Sequence, residues 1–392
     1  MPSFVRSPRF SAIALLSAAV LGLVIANTAL GPGLERGLDW HTPWGAIGLD
    51  LSIAHWVSDG LLAVFFLLVA VELKHELVAG ELANPKTAVV PAIAAVGGVL
   101  VPALVYLLVT SGAPYTHGWP IPTATDIAFA LGVLAMFGRG LPSTIRVFLL
   151  ALAVLDDLIA IVIIAVVFAH GTDFLALGGA AVLLVVFAVL GRRLRPGSRA
   201  QPFLIVAMVG IGLVTWWLVY HSGVHATIAG VALGLVLPRR PGGTLHEQVE
   251  PYSNAIVLPV FAFVSAAVVI PAVGIAELSP TFWGVVLALP VGKVIGITLF
   301  GTIAGRLFRG PGRSTLSFGS VMTVGVLGGI GFTVSLLMNE LAFAANEEIV
   351  DEGVLAVLVG SGIAMVASAV VVSVRARRYR QRRELSEAEA TE

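Results

Sequence analysis

The chain has 392 residues, 58% of them hydrophobic and 12% charged, with 23 basic and 23 acidic side chains and no cysteine. Its mean hydropathy is +0.98, whereas a soluble domain carries about 25% charged residues. A soluble fold, a disulfide framework and thiolate metal sites are therefore excluded, and the composition is that of an all-α polytopic membrane protein.

In chain order, apolar runs between polar punctuation predict twelve spans, near 10–30, 53–73, 88–110, 121–137, 143–169, 174–191, 203–220, 224–237, 252–273, 281–304, 318–339 and 353–374. Arg6 and Arg9 precede the first run as in a signal peptide, but no A-x-A site closes that run, so it reads as an uncleaved helix. Residues 31–51 are less apolar, with turn formers around Trp40, Pro43 and Trp44; an external hairpin and an irregular loop are equal alternatives there. The eighth span is short, and losing it would put the two ends on opposite sides. Residues 1–374 form a single transmembrane domain on this reading, and 375–392 a cytoplasmic tail, basic then acidic, expected to be disordered.

Basic residues orient these spans. With the N-terminus in the cytoplasm, the cytoplasmic loops and ends hold 21 of the 23 basic residues; only Arg36 falls outside, and Lys293 lies within a span. Loop charge of that asymmetry sets orientation, so both termini are expected in the cytoplasm. Glu340, Glu347, Glu348, Asp351 and Glu352 then share one external loop.

Removing loop charges leaves Asp126 in the fourth span, Asp156 and Asp157 in the fifth and Lys293 in the tenth, with Asp59 and Glu72 near the two ends of the second. The run Val147–Ala169 carries no charge besides its aspartate pair. A carboxylate at that depth costs ~2.5 kcal/mol or more on insertion scales, so these groups face a bundle interior or an aqueous cavity. A structural ion pair explains one acid with Lys293 and leaves a surplus of negative charge. Neighbours on a helix point ~100° apart, so Asp156 and Asp157 divide their work, one meeting Lys293 and the other joining Asp126. Carboxylate, hydroxyl and carbonyl oxygens suit a small hard cation. Burial and a neighbouring like charge also favour the neutral carboxyl, and a site that holds either protons or a cation makes them competitors, which is the basis of antiport.

Two spans carry interruptions. Pro120, Pro122, Thr123 and Thr125 crowd the start of the fourth, ahead of Asp126. The eleventh holds Gly325, Gly328, Gly329 and Gly331, each weakening a helix by ~1 kcal/mol relative to alanine. These are the second members of two three-span groups, about 88–169 and 281–374. Six spans lie between their first members, so the groups enter the membrane from opposite sides as candidate inverted repeats. Non-helical backbone at this depth is tolerated where it lines a cavity or is buried in protein. Gly230/Gly234, Gly292/Gly296 and Gly301/Gly305 have the i,i+4 spacing of packing surfaces.

The stretches Pro122–Gly132 (PTATDIAFALG), Phe148–Asp157 (FLLALAVLDD), Gly223–Thr227 (GVHAT), Leu258–Phe263 (LPVFAF) and Gly328–Thr333 (GGIGFT) resemble the NhaA-type sodium/proton antiporters along nearly the whole chain. Inverted repeats with broken helices are a known architecture of that family. The resemblance implies twelve helices, the fourth and eleventh crossing as unwound chains. It implies that Asp157 and Asp126, with Thr125 beside them, take sodium or lithium and protons, and that Asp156 pairs with Lys293. Asp126 and Lys293 would offset the partial charges of facing half-helix ends, while Asp59 matches an acid of unclear role.

Glu72, Lys74 and Glu76 match the family's pH-sensing motif at the cytoplasmic mouth, with His75 where arginine is usual, and His246-Glu247 reverses a familiar order. A solvated charged loop is the alternative reading of that cluster. The expectation is a sodium (lithium)/proton antiporter of the bacterial cytoplasmic membrane, expelling sodium for external protons. It would be electrogenic, activated at alkaline pH and serve sodium and pH homeostasis. No enzymatic step, cofactor or nucleic-acid partner is expected; membrane lipid and the transported ions are, and a homodimer is left open.

An intramembrane aspartyl protease would need two membrane acids but neither Lys293 nor paired broken spans. A cation channel gathers a selectivity ring by oligomerisation, unlike this asymmetric set, and an organic-solute carrier would want a larger aromatic cavity. His221 and His225 have metal-ligand spacing, but Gly223 intervenes and no acid is expected close by, so a packing or hydrogen-bonding role is expected for His225. His75-Glu76 lacks the second histidine of a zinc helix.

Overall fold

The computed structural model of the protein describes residues 7–169, 171–195, 197–270, 274–308 and 317–389. Arg6, Arg309 and Arg313 of the orientation argument, and residues 271–273 of the ninth span, lie outside them. Helices follow in the order α1 (Pro8–Ala26), α2 (Gly31–Leu38), α3 (Ile53–Ala79), α4 (Pro85–Val109), α5 (Ile127–Phe137), α6 (Ser143–Val167), α7 (Phe174–Arg193) and α8 (Gln201–His221). After these come α9 (Thr227–Val236), α10 (Arg239–Tyr252), α11 (Leu258–Ser265), α12 (Pro280–Leu307), α13 (Phe318–Gly328), α14 (Phe332–Phe343) and α15 (Glu347–Glu389). Nine stretches among the described residues are long and apolar enough to cross a membrane, and the bent pair α13–α14 makes ten.

The eighth and ninth of the twelve expected spans are shorter than predicted. Helix α9 has 10 residues, about half the length that crosses the hydrocarbon core. Gly223, at φ +77°, turns the chain just before it, and Pro238 forces Leu237 out of the helix behind it. Helix α11 has 8 residues and is the continuation of polar α10 through a π turn at Ser253–Val257, two residues after Pro251.

Residues 31–51 differ from a plain hairpin. Helix α2 occupies the first part, and two isolated antiparallel bridges, His41 with Ser52 and Trp44 with Leu49, close the rest. The expected disorder of the tail is also overturned: α15 runs unbroken to Glu389, because no proline or glycine follows Gly362 and the first arginine is held. Arg375 donates to Ser320 Oγ at 3.3 Å and lies 5.6 Å from the Tyr379 ring centroid. The five acids read as one external loop are all in helices, Glu340 in α14 and the others in the opening turns of α15, where carboxylates suit the helix dipole. Among them Glu352 is buried and accepts from the Ser279 N–H at 2.8 Å, just before α12.

The chain divides into two compact units, one with Met1–Leu16, Glu81–Ala160 and Val268–Glu392, the other with Ser17–Gly80 and Ile161–Ala267. In the first, α4 and α12 approach backbone to backbone at Gly97 and Gly296, where a side chain on either residue would meet the other's carbonyl oxygen. Small residues allow such contact without a hydrophobic driving force in lipid. In the second, Gly230 and Gly234 of α9 lie against the carbonyls of Ala63 and Leu67 in α3. Gly305 has open space around it, so the expected Gly301/Gly305 surface reduces to Gly301, which meets Val321. Apolar side chains also face outward, Leu175 of α7 at 86% and Phe203 of α8 at 78% exposure, as a lipid-facing surface requires.

Candidate cation site

Both interrupted spans belong to the first unit, and they touch at their breaks. The fourth span enters as two 3-10 turns, Thr116–Gly118 and Ile121–Thr123, because Pro120 and Pro122 lack the N–H groups a helix needs. Ala124 and Asp126 are extended, and α5 starts after Asp126, whose Oδ1 accepts from the Phe129 N–H at 3.0 Å as an N-cap. In the eleventh span α13 ends at Gly328 and α14 starts at Phe332, with a 51° bend between them. Gly329 and Gly331 lie in that break, whereas Gly325, expected with them, sits inside α13 and packs against Thr298 and Val294 of α12. One glycine inside a helix costs only ~1 kcal/mol, and the close approach of α12 at Gly325 leaves no room for a side chain.

The contact between the breaks is specific. The Asp126 N–H donates to Ile330 O at 2.7 Å. A Cβ added at Gly331 would stand 3.1 Å from Ala124 O and 2.5 Å from Ser335 Oγ, so a bare residue is needed for this crossing. Asp126 Oδ2 accepts from both the Thr333 N–H, at 3.1 Å, and the Thr333 hydroxyl, at 2.7 Å. One carboxylate thereby caps the starts of two half-helices, where the N–H ends carry partial positive charge. The Phe129 and Phe332 rings meet edge to face beside it, 5.0 Å apart.

Lys293 and Asp156 form the second part. Each is 0% exposed, and Nζ lies 2.7 Å from Asp156 Oδ2 and 3.0 Å from Thr125 Oγ1. Lys293 follows directly on a π turn, Ala288–Gly292, in which Pro290 removes a helical hydrogen bond. The single proton of the Thr125 hydroxyl serves either Asp156 Oδ2 at 2.6 Å or Gly328 O at 2.9 Å. Asp156 Oδ1 has no hydrogen-bond partner among the described residues and faces Gly98 of α4. Asp157 is also buried, on the adjacent face of α6, and within electrostatic reach of Lys293.

Thr125, Asp126, Asp156 and Lys293 are thus brought together as the sequence suggested, with Thr333 added. Nothing but its place in the Gly328–Thr333 motif marked Thr333, and its position just inside α14 is the signal that was missed. Among the described residues no group of three or more His, Asp or Glu side chains is arranged to hold a metal ion. A cation here would draw on Asp126, Asp157 and the hydroxyl and carbonyl oxygens that the unwound backbone supplies.

The second unit holds two further clusters. His246 on α10 stands 3.8 Å from both Glu72 of α3 and Glu250 one turn along its own helix. Of the residues expected in that cluster, His75 and Glu247 are exposed, and Glu76 lies back against Gly80. Glu250 was not anticipated, although its i,i+4 spacing from His246 was readable. Lys74 donates to Leu235 O and Leu237 O, each at 2.8 Å, and holds the end of α9. The view that no acid is near His225 is corrected by the fold: His225 Nδ1 is 3.3 Å from Asp59 Oδ1, both side chains nearly buried. His221 instead lies beside the Trp217 ring, 4.6 Å between centroids.

Known proteins with this sequence pattern are numerous. The profile of the family described as Na+/H+ antiporter 1 matches residues 2–372. The protein named Na(+)/H(+) antiporter NhaA 2 of Clavibacter michiganensis subsp. michiganensis is 59% identical over 383 residues, which cover 97% of this chain and 94% of that one. Na(+)/H(+) antiporter NhaA of Tropheryma whipplei is 46% identical over 390 residues, covering 98% and 97%. Na(+)/H(+) antiporter NhaA 2 of Pseudomonas syringae pv. tomato is 41% identical over 391 residues, covering 96% and 95%.

Proposed function

We infer from the Na+/H+ antiporter 1 family, to which this chain belongs, and from the site in its first unit, that the protein exchanges sodium or lithium for protons. The observation that carries this reading is the charge count at the crossing: Asp126, Asp156 and Asp157 are buried within its spans, and Lys293 is the basic residue buried with them. Lys293 compensates one acid. The remaining negative charge is stabilised by a monovalent cation or by protons, and the two compete.

In the proposed cycle Asp157 and Asp126 hold sodium on the cytoplasmic side, with Thr125 and freed backbone carbonyls as further oxygen ligands. Protons taken from outside displace the ion. Two carboxylates discharging for one monovalent ion move net charge, which makes the exchange electrogenic. Asp156 stays paired with Lys293 and keeps the crossing assembled. The repeats 88–169 and 281–374 are proposed to be inverted, and the distribution of basic residues supports cytoplasmic termini in a bacterial inner membrane. The protein acts on ions and sits in lipid, with no chemical step and no cofactor.

The test is a pH-gradient dye in everted vesicles. Sodium or lithium is expected to dissipate a respiration-generated gradient, and potassium to do so weakly or not at all, because the site is small and rich in carboxylate. An absence of sodium response at every pH from mildly acidic to alkaline would sink the antiport reading.

The cluster on α3 and α10 is proposed to carry the pH response. Glu72 beside His246, assisted by Glu250 and Glu247, holds its imidazole above the usual histidine range against the opposing effect of burial. A histidine raised in this way contributes its contact fully below the ordinary value of ~6.5 and loses it as pH rises through the raised value. Protection of the α10 amides, with exchange corrected for its intrinsic base-catalysed rate, is therefore expected to fall as pH rises through the raised value. In His246→Gln protection should be low on both sides of that transition. Wild-type protection that does not change with pH would detach this cluster from the pH response.

A further inference from the structure

We propose that Thr333 is a positioning residue for the exchange: its hydroxyl is the reversible partner that lets Asp126 alternate between charged, protonated and cation-bound forms. The proposal rests on Asp126 being a ligand of the transported ion, as inferred above. Asp126 Oδ2 receives two donors, both from Thr333, and Oδ1 receives the Phe129 N–H. A carboxylate offers about four lone-pair positions, so three are committed in this state. The two backbone N–H groups are fixed by the helices they open and cannot turn away. The hydroxyl can.

Each form of Asp126 then has a matching setting of the same oxygen. When the acid is charged, the Thr333 hydroxyl donates to it at 2.7 Å. When Asp126 carries a proton, the hydrogen bond reverses, since a hydroxyl both donates and accepts. When a cation approaches Oδ2, the hydroxyl hydrogen rotates away and a lone pair faces the ion in its place. Thr333 is 3% exposed, so no bulk water stands ready to substitute. Because Thr333 opens α14 and Asp126 caps α5, each change at the acid is felt at the starts of both half-helices. Thr125 has the corresponding place toward Asp156 and Gly328, so each unwound segment meets the other through a threonine hydroxyl.

The experiment compares full-length wild type, Thr333→Ser and Thr333→Val in everted vesicles, with the sodium-induced rise in melting temperature of the purified protein as a second readout. Valine keeps the shape and removes the hydroxyl; serine restores it. Thr333→Val is expected to raise the apparent KM for sodium roughly tenfold, the scale of one lost hydrogen bond to a charged group, and to shift the pH profile. It should also lose most of the sodium-induced stabilisation, with Thr333→Ser close to wild type in all three. If Thr333→Val does not reach the membrane, Thr333→Ala is read in the same way. A wild-type KM and pH profile in the valine variant overturns the proposal. So do equal defects in valine and serine, or a lower maximal rate at unchanged KM, which mark a packing role. Loss of the sodium response in the wild type is a different result, because it removes the antiport reading itself.

Discussion

Asp157→Asn is expected to bring sodium-driven proton movement down to background, or to raise the apparent KM severely, while the protein reaches the membrane and melts near the wild-type temperature. Asparagine keeps the size of the side chain and one oxygen ligand but loses the charge and the exchangeable proton. Asp126→Asn should lose transport as well, with an additional cost. Asp126 uses both oxygens as acceptors, Oδ1 for Phe129 and Oδ2 for Thr333, and an amide has a single acceptor oxygen. Whichever way it turns, a buried donor is stranded at ~1–3 kcal/mol. The melting temperature of Asp126→Asn should therefore fall where that of Asp157→Asn does not. Wild-type exchange in both variants would move the site elsewhere.

Lys293→Ala is expected to lower the melting temperature in detergent sharply, because it leaves Asp156 as a fully buried, uncompensated charge. Breaking such a pair costs ~3–5 kcal/mol, and Thr125, with one proton to give, cannot replace an ammonium 2.7 Å away. Adding Asp156→Asn removes the stranded charge and should restore part of the loss. A double variant no more stable than Lys293→Ala alone would mean that the ion pair contributes nothing. Lys293 would then be a candidate proton carrier in its own right, and the place of Asp156 would be open again.

The pair itself is legible in the amino-acid sequence because charge at membrane depth is expensive and seldom without purpose. Four ionisable residues stand inside long apolar runs, and two of them are adjacent on one helix, where ~100° of rotation forbids a shared target. The break positions are legible for a similar reason. Proline removes a donor and glycine removes helix stability whatever the surroundings, so Pro120–Asp126 and Gly328–Gly331 declare themselves. Gly325 does not belong with them, since one glycine inside a helix is a matter of what packs against it, here Thr298 and Val294.

Contacts between distant residues are a different matter. His225 meets Asp59 across 166 positions, Asp126 meets Thr333 across 207, and nothing in local spacing signals either. Glu72 meets His246, as the expected cluster had it, but the second acid on His246 is Glu250, one turn along α10, and not Glu247, because the periodicity of α10 decides which side chains share its face. The arginine-rich tail looks like a solvated coil by composition, yet α15 continues through it because Arg375 has Ser320 and Tyr379 to bind.

Membrane character, the buried charges and the two places where helix fails can be read from the amino acids in order, since each follows from burial cost or backbone chemistry local to a few residues. Only in the folded chain does Asp126 cap two half-helices at once, with Thr333 as its partner, and Thr125 stand between Asp156, Lys293 and Gly328. Those are properties of where two unwound segments cross. A crossing is set by the packing of whole helices, which no window of sequence contains.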